Sequence, residues 1–267
     1  MISNETAIWV VRRDQAFSVL FRCVVFGGIL SLGLFGPSSN VGTLIFLTVL
    51  AAVVLRVYLG MRTARNARLA SGSPMLIARG EFDQAEEQIE TLLKTFWVFR
   101  SVKLMALHHL AVLRHAQRRW GDSAVLSRAL LQQRVKGMGP IARTTRLMLA
   151  DSLIELNDLA GAYHELLSLY GQKLSLTEAM NLLAVQLDYE SRVGAWQSMF
   201  GNVVQKTQLA ELMPTTAAAR TQALLALAAR QMGRLDWADW LKKRAELLAP
   251  ADEITASRPI LKALWSV

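Results

Sequence analysis

The 267 residues carry a formal net charge of +9 and are 52% hydrophobic against 19% charged, with one cysteine. A lone cysteine excludes an intrachain disulfide and a thiolate-rich metal site. The positive excess is not arranged as a basic stripe with interleaved aromatics, so nucleic acid is not expected as a partner.

In chain order, residues 1–71 come first and hold seven arginines, Arg12, Arg13, Arg22, Arg56, Arg62, Arg65 and Arg68, against Glu5 and Asp14. Between Arg22 and Arg56 no residue is charged, and the apolar run is broken mainly by Gly36-Pro37-Ser38-Ser39-Asn40. Two segments, about 17–35 and 41–59, thus predict a two-helix membrane hairpin, each approaching the ~20 apolar residues that a spanning helix needs. A hairpin that dips in and returns without crossing is the alternative. Arg22 and Arg56 would snorkel to the headgroups. The other arginines flank the pair while the turn has none, which predicts both termini and the rest of the chain on the cytoplasmic side. The bilayer is therefore an expected partner, and the basic segment after residue 59 offers a site for anionic lipid. Cys23 lies inside the first apolar segment and is read as an inert, buried thiol.

From Gly72-Ser73-Pro74 onward, residues 72–267 show apolar positions every three or four residues and almost no β-branched alternation, so the whole chain is expected to be all-α. Five segments repeat an apolar helix, a short polar turn and a second helix with a small residue in its first turn. The small residues are Ala85, Ala124, Ala162, Ala195 and Ala238. In the last segment Gly233, Leu235, Ala238, Ala245 and Pro250 are placed to end one helix, seat the next closely and stop it. Gly80, Phe82 and Ala85 repeat part of this order, as do Asn157, Leu159 and Ala162.

This pattern resembles the tetratricopeptide repeat, a 34-residue helix-turn-helix unit. The resemblance implies an α-solenoid of about five helical hairpins over residues 72–267, binding a protein or peptide on the concave face of its first helices. It has departures: Gly121 stands too close to Ala124, and Glu190 occupies a position where glycine is usual. Another all-helical solenoid is the alternative fold.

Candidate chemistry is sparse. His164-Glu165 opens like a zinc-protease helix, but Ser168 stands where the second histidine is needed. His108, His109 and His115 cluster without an acidic or thiol partner in sequence. Gly137-Met138-Gly139-Pro140 fits a relaxed dinucleotide pattern but follows a helix rather than a strand. No catalytic residue, cofactor or metal site is expected, and the chain is not expected to be an enzyme.

The expected function is a membrane-anchored scaffold or adaptor. The runner-up is a membrane-structural subunit that uses the array as a packing platform. The face of each first helix opposite its packing residues places His108, His115, Arg119, Asp151, Glu155, Asn181, Asp188, Arg220 and Arg230 on the expected groove.

Overall fold

The computed structural model describes residues 3–35, 43, 46–54, 57–58, 61, 72–94, 100–133 and 139–266. Among these residues the chain is all helix and turn, with no strand. It divides into two compact units, Met1–Thr145 and Arg146–Val267.

The first unit contains α1 (Asn4–Phe35), α2 (Ser73–Ala78), α3 (Phe82–Lys94), α4 (Arg100–Ala116) and α5 (Trp120–Leu131). Helix α4 is its centre, packing against α1, α2, α3 and α5. Leu104, Leu107, Leu110 and Leu113 recur at helical spacing and are buried. Around them lie Ala85, Ile89, Leu92 and Leu93 of α3, Ala124 and Leu126 of α5, and Ala7, Val10 and Val11 of α1. Within this core Arg114, 1% exposed, donates from Nη2 to Glu86 Oε1 at 2.8 Å and from Nη1 to Glu86 Oε2 at 3.1 Å. A forked ion pair of this kind satisfies both carboxylate oxygens.

Helix α6 (Gly139–Glu155) begins in the first unit and ends in the second. The second unit continues with α7 (Leu159–Leu167), α8 (Leu176–Arg192), α9 (Trp196–Phe200), α10 (Val203–Glu211), α11 (Thr215–Gln231) and α12 (Leu235–Leu248). It closes with α13 (Ala251–Ser257), a 3-10 turn (Pro259–Leu261) and α14 (Lys262–Trp265). The alanine-rich α11 is buried on every side from Thr221 to Ala229, and its small side chains let α12 pack closely along it. Ser175 caps α8 in a reciprocal box with Glu178.

Among the described residues one turn recurs five times. Gly80, Arg118, Asn157, Gly194 and Gly233 all have positive φ, and they fall 38, 39, 37 and 39 residues apart. Each ends a helix. The next residue donates its backbone N–H five residues back: Glu81 to Leu76, Arg119 to Arg114, Asp158 to Leu153, Ala195 to Glu190, and Arg234 to Ala229. This is the closing bond of a Schellman motif, which satisfies a carbonyl at the helix end and turns the chain sharply. One residue later a large apolar side chain, Phe82, Trp120, Leu159, Trp196 or Leu235, starts the following helix.

Several expectations are corrected here. Among the described residues no helix is long and apolar enough to cross a membrane. The first apolar segment is the latter part of α1, whose earlier turns carry Glu5, Arg12 and Arg13 and bury Ala7, Val10 and Val11 in the first unit. In the second segment the described residues 43, 46–54 and 57–58 are helical. The membrane hairpin, the bilayer as partner, the membrane localisation and the cytoplasmic orientation all fall with the absence of a spanning helix among the described residues. The turn at 36–42 and the arginines Arg56, Arg62, Arg65 and Arg68 lie outside the described residues, as does the Arg22 side chain. Cys23 is exposed rather than buried.

The repeat register also differs from the sequence reading. Arg118, not Gly121, takes the left-handed turn, and Gly194 takes the role for which Glu190 had been aligned. The spacing of 37 to 39 residues exceeds the 34 of a tetratricopeptide unit.

Candidate functional site

The second unit gathers charge at one place. Asp151 and Glu155 lie four residues apart on α6, hence on one face, and Asp188 lies on α8. One carboxylate oxygen from each falls within 4.8 Å of the others. The chain returns after α13 and seats Arg258 among them. Its Nε is 2.7 Å from Asp188 Oδ1, Nη1 is 2.7 Å from Glu155 Oε1 and Nη2 is 3.8 Å from Asp151 Oδ1. Arg192 of α8 donates to the same Glu155 Oε1 at 3.0 Å.

The electrostatics follow from that packing. Asp188 is only 4% exposed, and burial pushes its carboxyl above the usual pKa despite the opposing charges of Arg258 and Arg192, with Asp151 adding to the rise. Burial works against the Arg258 charge, but Asp188, Glu155 and Asp151 outweigh it and hold its pKa above the ordinary value. The 2.7 Å contact to Asp188 is close yet poorly directed, and both Asp188 oxygens lack an aligned hydrogen bond. The spacing of the three carboxylates would suit a cation, and the guanidinium of Arg258 is the cation that fills it.

The segment carrying Arg258 is fastened on both sides. Ile254, Leu261 and Leu264 join the apolar cluster built around α11. Arg230 of α11 donates from Nη1 to the Ala263 carbonyl at 2.7 Å, and Trp265 donates from Nε1 to Glu246 Oε1 of α12 at 2.7 Å. Lys242 lies over the Trp265 ring, 5.8 Å from its centroid.

The residues proposed from sequence therefore divide. Asp151, Glu155 and Asp188 come together, and Arg230 holds the same terminal segment that Arg258 belongs to. Asn181 is exposed on α8, seven residues before Asp188, and Arg220 is half-buried on α11. The three from the first unit meet partners within that unit. His108 is buried, with Nδ1 3.1 Å from Thr145 Oγ1, and His109 Nδ1 lies 2.8 Å from Ser73 Oγ. His115 meets the Trp120 ring edge-on at 4.9 Å, and Arg119 pairs with Asp122. Of the other motifs, Glu165 pairs with Arg146 at 2.8 Å, and Gly139-Pro140 opens α6, while 134–138 lie outside the described residues.

Sequence reasoning missed Arg192 and Arg258. The latter carries one local signal, an Arg-Pro pair that ends α13 and redirects the chain.

No family model, curated protein or solved structure matches the chain. The expected membership of the tetratricopeptide family is corrected accordingly. Its diagnostic spacing is not kept, and similar turns arise wherever a helix ends in a left-handed residue and another begins two residues later.

Proposed function

We propose that the protein is a binding module without catalysis of its own, which captures a protein or peptide partner on the face formed by α6 and α8. The supporting observation is that charged side chains of these two helices converge on a chain segment crossing them, with Arg258 as the anchor. Helical hairpins in series offer such faces because each leaves one side of its first helix uncovered by its own second helix. Charged groups there confer orientation and selectivity more than raw affinity.

The test is site-specific photo-crosslinking in cells. A crosslinking residue at Asn181, exposed and on the same helical face as Asp188, should give a discrete adduct with another polypeptide. The same residue at Leu167, exposed on α7, should not. Equal adducts at both positions, or none at Asn181, would remove the reading.

A further inference from the structure

We propose that the carboxylate trio of Asp151, Glu155 and Asp188 is a receptor for an arginine-bearing peptide segment, and that residues 251–266 occupy it as an internal substitute which such a partner displaces. This deepens the binding reading above and rests on it.

Three observations select arginine. The trio presents oxygens in an arc matched by a planar guanidinium, and Arg258 reaches two of them at 2.7 Å. A lysine ammonium is a point charge and would not span the arc in the same way. Glu155 is also reached by a second guanidinium, that of Arg192, at 3.0 Å, so the site already accepts arginine from two directions.

The internal fit is imperfect, which is what leaves room for a competitor. Asp188 is almost wholly buried and aimed at the guanidinium, yet neither of its oxygens has an aligned hydrogen bond. Buried polar groups in that condition gain substantially when a better-directed donor arrives. Arg258 is also constrained. It is tied through Pro259 to Leu261 and Leu264, which are fixed in the apolar cluster. A partner segment with its arginine on an unconstrained backbone can align both N–H groups.

Displacement has a route. Ala249 and Pro250, just before α13, are both extended, with ψ of 151° and 145°. Residues 251–266 leave α12 at this extended joint, about which they can move while α11 and α12 stay paired. Its own pattern defines the partner's chemistry: an apolar residue, then arginine four residues on, then apolar residues three and six beyond, as in Ile254, Arg258, Leu261 and Leu264.

The experiment titrates a fluorescein-labelled synthetic peptide of residues 250–267 into the full-length protein and its Arg258→Ala and Arg258→Lys variants. The peptide should bind Arg258→Ala at least tenfold more tightly than wild type, because the internal segment has lost its anchor. The lysine variant, which retains the charge and guards against loss of folding, should fall between them. A peptide carrying Arg258→Gln should bind at least tenfold more weakly, and adding Asp188→Asn to the Arg258→Ala chain should weaken the arginine peptide at least fivefold. Equal binding of the two peptides would overturn the proposal, as would no binding to either variant while circular dichroism remains helical. A discrete adduct at Asn181 together with peptide failure would discard arginine recognition alone. Peptide success without an adduct would keep the receptor site and discard the captured partner.

Discussion

At the scale of single residues, burial fixes what His108 does. Its pKa is lowered to about 4, chiefly by burial and secondarily by the neighbouring His109, so the folded protein holds it neutral beside Thr145. An unfolded histidine titrates near ~6.5, so between the two values the unfolded chain binds the extra proton. Stability from this group is therefore complete above about 6.5 and is lost as the pH falls toward about 4. The gap corresponds to about 3 kcal/mol at about 1.4 kcal/mol per unit. His109, also lowered by burial, adds in the same direction. Replacing His108 with Gln keeps a hydrogen-bonding group but removes the titration. Urea unfolding at pH 7 and pH 4.5 should thus show a smaller difference for His108→Gln than for wild type, and equal differences would refute the buried neutral ring. Helical spacing in the sequence places His108 on an open groove, opposite the packing residues of its helix. Helix α4 is covered from several sides, so a face assignment from periodicity had no solvent side to find there.

At the scale of elements, the repeated turn shows what a sequence can and cannot announce. Gly80, Gly233 and Asn157 were legible as helix ends because glycine and asparagine tolerate positive φ. Arg118, at φ 59°, carries no such signal, whereas Gly121, the second residue of α5, does. In the fourth hairpin the alanine at 195 was aligned with Ala85, whereas Met199 has the equivalent place after the left-handed residue. The site was legible in part for the same kind of reason. Asp151 and Glu155 share a face by local spacing, but Arg258 arrives through a long-range return of the chain that no local period encodes. The turn makes paired predictions. Arg118→Gly relieves a side chain held in the left-handed region and should stabilise the protein by about 1 kcal/mol. Gly233→Ala has open space for its Cβ, so its cost of about 1 kcal/mol would be purely conformational. Thermal unfolding should move in opposite directions for the two; a fall for Arg118→Gly would mean its side chain contributes contacts that outweigh the strain.

At the scale of the molecule, the two compact units predict that damage stays local. Glu86 and Arg114 belong to the first unit and are almost fully buried, so Glu86→Ala leaves an uncompensated guanidinium and should cost about 3–5 kcal/mol. Arg258, Glu155 and Asp151 belong to the second unit and are partly solvated, and the buried Asp188, its carboxyl already pushed above the usual pKa, can take up a proton when the guanidinium is lost, so Arg258→Ala should cost less. Amide hydrogen exchange resolves where each loss is felt, because regions open with their own free energies. Glu86→Ala should accelerate exchange in α3, α4 and α5 and leave α8, α11 and α12 near wild type. Arg258→Ala should accelerate α13, α14 and the last turns of α6 and α8, sparing α3 to α5. Helix α6 is the sensitive element, since its ends lie in different units and its Thr145 and Asp151 answer to different cores. If either substitution speeds exchange throughout, α6 couples the units into one cooperative fold, and the terminal segment cannot then be released without loosening the whole protein.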